Sequence, residues 1–153
     1  MPAVTLPAEV ESTLKKGLAL TVCNLPEKYG KMPNFEHIAH LAAETFSVSK
    51  INANPGVMTR KTDYALVYEG YVKISTDGDY TFRVACDDAA RLYIDGRLVT
   101  DVPHDAERAD NAIVSNSGSL TLVTGYHSIR IEYAEVGGGN AGLALQGEWE
   151  FFH

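Results

Sequence analysis

The sequence lacks any apolar run long enough to cross a membrane. No stretch of about 18 apolar residues occurs in its 153 residues, which excludes a membrane-spanning helix. The N-terminal residues also lack the basic-then-apolar layout of a signal peptide. Two interpretations remain: a cytosolic protein, or a piece of a longer, exported one. The abrupt end at residues 149–153 favours the piece.

Basic residues are scarce. Thirteen Lys and Arg face twenty Asp and Glu, which gives a net charge of -7. Nucleic acid is therefore not an expected partner, because phosphate binding needs a basic face. The acids are concentrated: up to Thr62 seven bases face five acids (+2), and from Asp63 onward six face fifteen (-9). Such a cluster is usually a solvated face, although acidic loops also recruit hard cations.

Cysteine is nearly absent, and glycine and proline are not abundant. The 13 Gly and 6 Pro exclude a collagen-like chain, and a hydrophobic share of 45% is typical of a globular domain. Cys23 and Cys86 could form one disulfide, but two cysteines so far apart specify little. We expect two buried thiols.

Alternation of apolar and polar residues with a period of two predicts many short strands. From Asp63 onward this signal is nearly continuous, and Asp95-Gly96 and Thr124-Gly125 indicate hairpin turns. The pattern predicts an all-β, antiparallel sandwich or barrel. Residues 3–16 are interpreted as a linker or short helix, and residues 34–44 have helical spacing. The side chains expected to point inward are Tyr80, Phe82, Val84, Leu92, Ile94, Leu120, Leu122, Ile129 and Ile131.

Several enzyme motifs can be set aside. Gly137, Gly139 and Gly142 spell a dinucleotide-binding pattern, but a strand rather than a helix is predicted to follow, so the phosphate site is missing. His37 and His40 have no third zinc ligand nearby. A glycosidase acid pair normally flanks its substrate from separate elements, whereas Asp87 and Asp88 are adjacent.

Three ordered blocks carry a family resemblance. Residues 68–84 read YEGYVKISTDGDYTFRV, residues 87–99 read DDAARLYIDGRLV, and residues 125–133 read GYHSIRIEY before a glycine-rich segment and Leu143–Trp149. Together they closely resemble the protective-antigen-type, or PA-fourteen, domain family over about residues 17–151. Two positions depart from its pattern: Cys86 replaces the usual Ser, and Ala89 stands where Gly is common.

The resemblance implies a β-sandwich, jelly-roll-like, over residues 17–153, preceded by a linker at residues 1–16. It also implies that residues 35–43 form an irregular connection rather than a helix. Lectin members of the family hold Ca²⁺ with a cis-linked Asp-Asp pair and an Asn from a second loop, and the ion coordinates sugar hydroxyls. The matching residues here are Asp87, Asp88 and Asn140, the expected ligands for metal and sugar. Asp87 and Asp88 could instead cap a turn, and Trp149 is more often a core residue than a sugar platform.

The expected function is that of a non-catalytic carbohydrate-binding module from a secreted, periplasmic or cell-surface bacterial glycoside hydrolase, with Ca²⁺ as its candidate cofactor. Its partners would be a glycan and the catalytic domain of the parent chain. One alternative is a structural accessory domain that shapes the parent enzyme's cleft without binding sugar. Another is a cell-surface adhesion domain.

Overall fold

Strands dominate the structure of this chain. A computed structural model describes residues 11–25, 33–35, 42–52, 63–87, 89–103, 113–136 and 142–153. All the regular elements in these ranges are strands, as the alternating pattern predicts. In chain order they are β1 Leu18–Asn24, β2 Ala42–Val48, β3 Tyr64–Ile74, β4 Gly78–Asp87, β5 Ala89–Ile94, β6 Arg97–Val102, β7 Val114–Leu122, β8 Gly125–Glu135, β9 Gly142–Leu145 and β10 Glu150–Phe152.

The strands form two antiparallel sheets, which confirms the predicted sandwich. The larger sheet has seven strands in the order β2-β1-β3-β8-β5-β6, with β10 pairing with β3 beyond the end of β1. The smaller sheet has three strands in the order β7-β4-β9. The chain therefore leaves the smaller sheet at the end of β4 and enters the larger one at β5. None of the described residues belongs to a helix long and apolar enough to cross a bilayer.

The main core lies between the two sheets. Of the nine side chains predicted to point inward, seven are buried: Phe82, Val84, Leu92, Ile94, Leu122, Ile129 and Ile131. The other two, Tyr80 and Leu120, are partly buried and pack against the same core. Their alternation along β4, β5, β7 and β8 confirms the predicted register, because successive strand residues face opposite sides of a sheet.

The Asp95-Gly96 turn is a hairpin, as predicted. Both residues have positive φ, 52° at Asp95 and 77° at Gly96, which suits a two-residue turn between twisted strands. His127 of β8 also contacts this turn, because its Nδ1 lies 2.7 Å from the Asp95 carboxylate. His127 is fully buried, and its Nε2 lies 2.7 Å from the Val123 carbonyl oxygen. One imidazole thus fixes two turns at this end of the sandwich. The predicted hairpin at Thr124-Gly125 is wrong, because these residues connect β7 of the smaller sheet to β8 of the larger one.

A second, smaller apolar cluster covers part of the larger sheet on its outer side. It consists of Cys23, Leu25, Phe35, Ala65, Val67, Ala134 and Val136. Cys86, by contrast, belongs to the main core. The two cysteines therefore lie in different clusters, and within the described residues neither is part of a disulfide, which confirms the expectation of two buried thiols.

The helical interpretation of residues 34–44 is wrong where the structure describes it. Residues 33–35 contain no regular element, and β2 already begins at Ala42. Pairing with β1 over its length supplies β2 with the backbone hydrogen bonds that a helix would make internally. Residues 36–41 lie outside the described ranges. Before β1, the backbone of Lys15 exchanges hydrogen bonds of 2.8 and 2.9 Å with His153.

Candidate functional site

Asp87 lies where the chain passes from one sheet to the other. It is the last residue of β4 in the smaller sheet, and β5 of the larger sheet begins two residues later at Ala89. Asp87 is 5% exposed, although an aspartate is rarely so buried without partners. Its neighbours Cys86 and Ala89 are both fully buried. The two departures from the family pattern therefore place small side chains in the packed edge of the sandwich.

Tyr133 of β8 holds this crossover from inside. Its hydroxyl donates a hydrogen bond of 2.5 Å to the Asp87 carbonyl oxygen. Burial raises the pKa of the Tyr133 phenol, the nearby Tyr64 and Glu135 raise it further, and a hydrogen bond with the Gly142 backbone lowers it. The phenol is thus held in its protonated form, and it connects the crossover to the first residue of β9.

The start of β9 lies beside Asp87 in the smaller sheet. Gly142 pairs with Asp87 and Leu143 pairs with Cys86. A methyl group at Gly142 would approach Ile113 Cδ1 to 2.6 Å, so glycine allows close packing here. The fold therefore brings Asp87 next to the strand that follows the glycine-rich segment. Asp88 and Asn140 themselves lie outside the described residues.

Glu135 is a further carboxylate at this end, and motif reasoning missed it. It is fully buried on β8 and pairs with Tyr64 of β3. The alternation Ile129, Ile131, Tyr133, Glu135 places it on the inner face, a signal that the sequence already contains. Asp63, 5% exposed and with φ of 56°, immediately precedes β3 at the same end.

The family resemblance makes a hard cation the expected ligand of this end. Carboxylate, amide and backbone oxygens are the ligands that Ca²⁺ takes in proteins. Among the described residues, no three or more His, Cys, Asp or Glu side chains form a group that could hold a metal. Asp87 is the one described member of the expected set, and the other two ligands would come from Asp88 and Asn140.

A model of the PA14 domain matches residues 28–150 of this chain. The chain belongs to the PA14 domain family. This membership confirms the family resemblance carried by the three sequence blocks. No curated protein matches the chain.

Several solved structures share the fold of this PA14 domain. The PA14 sugar-binding domain from an RTX adhesin has a TM-score of 0.66 and 22% identity, over 90% of this chain and 94% of that one. The epithelial adhesin 9 A domain from Candida glabrata, in complex with Galβ1-4GlcNAc, has a TM-score of 0.68 and 14% identity, over 99% of this chain and 94% of that one.

An enzyme is also among the similar structures. The GH31 α-xylosidase from Xanthomonas citri has a TM-score of 0.58 and 17% identity, over 88% of this chain. The chain spans 15% of the length of that xylosidase. At these identities the likeness shows the fold alone.

The structure also bears on the motifs that were set aside. Gly142 begins a strand, so the glycine pattern is not followed by the helix that a dinucleotide loop needs. Trp149 stacks on Phe82, with ring centroids 4.3 Å apart and an interplanar angle of 17°, and packs against the main core. Its indole Nε1 donates to the Gln146 carbonyl oxygen at 2.9 Å. Trp149 is thus partly buried against the core, while His37 and His40 lie outside the described residues.

Proposed function

We propose that this PA14 domain is a non-catalytic carbohydrate-binding module whose glycan site lies at the Asp87 end of the sandwich. The observation that carries the proposal is the position of Asp87. It is buried at the crossover between the sheets, with Tyr133 fixing its carbonyl and β9 pairing with its backbone. Membership of the PA14 family, and a fold shared with a domain described as sugar-binding, support the same function.

Calcium is the proposed cofactor of this site. Asp87, Asp88 and Asn140 would hold it, with two carboxylates supplying the charge and an amide oxygen supplying a neutral ligand. Ca²⁺ takes about 6–8 oxygen ligands, and when bound it offers positions that two adjacent sugar hydroxyls can fill. The chain's own contribution is to fix the crossover: Tyr133 restrains the Asp87 carbonyl, and the Gly142 pairing restrains the neighbouring segment.

Calorimetric titration with CaCl₂ tests the metal site. Calcium binding should be abolished in Asp87→Asn/Asp88→Asn, because replacing both carboxylates removes the ligand charge while keeping the side-chain size. A matched control is Glu148→Gln/Glu150→Gln, which removes the same charge from two exposed positions near the C-terminus. The control should bind calcium like the unaltered domain. Calcium binding that survives in Asp87→Asn/Asp88→Asn would contradict the proposed site.

The proposed setting is a longer secreted, periplasmic or cell-surface protein, with a glycoside hydrolase as the parent. The fold shared with a small part of an α-xylosidase supports such an appended position. A module of this kind acts by raising the effective concentration of its enzyme at a polymer.

The same likeness favours a second candidate function, an accessory domain that shapes the enzyme's cleft. Removal of the domain from the full-length protein distinguishes the two. Activity lost on polymers alone supports binding, whereas activity lost on small soluble substrates supports the accessory role.

A further inference from the structure

A cleft of about 1260 Å³ lies on the outer side of the larger sheet, and Asp87 is not among its described lining residues. We call it the outer-face cleft, and its polar and aromatic lining includes Glu69, Tyr71, Arg91, Tyr93, Arg130 and Glu132. The cleft is broad and open to solvent, which suits an extended ligand of several sugar-sized units better than a small enclosed molecule. Along β5, Tyr93 lies four residues from Ala89, or about 13 Å from the crossover end.

Side chains of three adjacent strands form the floor. Arg130 of β8 contacts Glu69 of β3 at 3.0 Å through Nη1, and Glu132 at 3.1 Å through Nε. The Glu132 side chain is 8% exposed, whereas that of Glu69 is 53% exposed. The floor therefore combines a buried carboxylate, which orients the guanidinium group, with an accessible one.

The guanidinium group of Arg91, on β5, makes ion pairs with neighbouring carboxylates but no hydrogen bond to them. Its Nη1 is 3.6 Å from Glu132 Oε1, and its Nε is 3.8 Å from the Asp101 carboxylate. Both distances exceed that of a hydrogen bond, so these contacts are ion pairs only. Glu132 Oε1 has no hydrogen-bond partner among the described residues. Arg91, whose side chain is 32% exposed, thus presents a planar donor group held by charge.

Two tyrosines lie on opposite sides of β8 in this cleft. Tyr71 of β3 pairs with Ser128, and Tyr93 of β5 pairs with Arg130. Both residues are half-buried, and within the described residues neither ring pairs with another aromatic ring. Aromatic side chains with one apolar face and one polar end are suited to ligands that are apolar on one side and hydroxylated at the edges.

The charges of the described lining residues disfavour ionic ligands. Among these residues, two guanidinium groups, on Arg91 and Arg130, balance two carboxylates, on Glu69 and Glu132, and the imidazole of His153 lies beside them. A negatively charged ligand that binds a guanidinium group would therefore lie close to a carboxylate, and a positively charged ligand that binds a carboxylate would lie close to a guanidinium group. A neutral ligand with several hydroxyl groups can instead donate to the carboxylates and accept from the guanidinium groups.

We propose that the outer-face cleft is a second binding site, for a neutral oligosaccharide, and that it works without calcium. The choice of ligand class rests on the proposed carbohydrate-binding function, but the site and its chemistry are independent of Asp87. Two sites on one module would strengthen attachment to a polymer, since the second contact forms at high effective concentration.

Amide chemical shifts of the ¹⁵N-labelled domain locate binding directly. The probes are cellotetraose, maltotetraose, xyloglucan heptasaccharide and Galβ1-4GlcNAc. Each oligosaccharide is added to about 10 mM, a concentration that saturates a site with a millimolar Kd, and EDTA is present throughout. Shifts should appear at Tyr71, Arg91 and Tyr93 with at least one probe. Glucuronate and inorganic phosphate, the charged controls, should leave those amides unchanged.

Variants test whether the named side chains bind the sugar. Tyr93→Ala and Arg91→Ala should each weaken the binding about tenfold or more, the effect of losing roughly 1.4 kcal/mol. Lys73→Ala is the matched control, since it removes a positive charge from an exposed position of β3 outside the cleft lining. If Arg91→Ala does not fold, Tyr93→Ala alone decides. Unchanged affinity in the folded variant would overturn the proposal.

The location of the shifts separates this site from the one at Asp87. Shifts confined to Asp87 and Leu143, and seen only when calcium replaces EDTA, would refute the outer-face cleft and leave the proposed function standing. An absence of shifts at the cleft with all four oligosaccharides would also refute it. Cleft shifts in EDTA from a domain that binds no calcium would support the cleft and refute the metal site.

Discussion

Removal of the His127 imidazole should destabilise the domain more than a typical single substitution. The ring is fully buried and lies 2.7 Å both from Asp95 Oδ2 and from the Val123 carbonyl oxygen. Both contacting atoms accept hydrogen bonds, and each of them faces one nitrogen of the imidazole ring. His127→Ala would leave the Asp95 carboxylate, 4% exposed, with the 3.2 Å Ser128 amide contact but without the imidazole.

Leaving a buried hydrogen-bonding group without its partner costs about 1–3 kcal/mol, and more when that group is charged, as the Asp95 carboxylate is. A domain of about 150 residues loses roughly 2–4 °C of Tm per kcal/mol, so the midpoint should fall by roughly 2–12 °C or more. The free energy of unfolding of a native domain is about 5–15 kcal/mol, so the variant should remain folded in the absence of urea at low temperature.

Urea unfolding followed by circular dichroism measures this loss. Glu148→Gln, an exposed substitution, serves as the control and should change the free energy of unfolding by less than about 0.5 kcal/mol. Asp95→Asn completes a double-mutant cycle with His127→Ala. The two losses should be non-additive by about 0.5–3 kcal/mol, since the residues are in contact. A loss below about 1 kcal/mol in His127→Ala, or strict additivity, would refute the assigned role of the pair.

Two further predictions concern packing and alkaline stability. Gly118→Ala should cost about 1–3 kcal/mol or more in urea unfolding, because its methyl group would overlap the Val99 carbonyl oxygen. Gly78→Ala, in open space, should not destabilise, and an equal loss in both would contradict the packing argument. Burial raises the pKa of Tyr68 to about 12, against about 10 when unfolded. Its contribution to stability is therefore complete below pH about 10 and is lost as the pH rises towards 12. The free energy of unfolding should fall over that range, and less steeply in Tyr68→Phe; an identical pH profile in that variant would contradict the assignment.

Much of the fold could be predicted from local sequence signals. The period of two along β4, β5 and β8 gave the strands and their inner faces, since side chains alternate across a strand. The Asp95-Gly96 turn was predictable because both positions need residues that tolerate positive φ. The helical interpretation of residues 34–44 failed at β2, where pairing with β1 outweighs a weak local period.

The candidate site was predictable only in part. The sequence by itself indicated Asp87 as a candidate, through a motif of adjacent residues, and it contains the alternation that turns Glu135 inward. It did not determine that the chain changes sheets there, because strand order depends on pairing between distant segments. Tyr133 and the Asp87 carbonyl are 46 residues apart, and His127 and Asp95 are 32 apart. The outer-face cleft likewise combines residues of β3, β5 and β8, which only the assembled sheet makes neighbours. Such contacts depend on which strands pair and in which register. The alternation of apolar and polar residues within one strand specifies neither its partner strand nor its register.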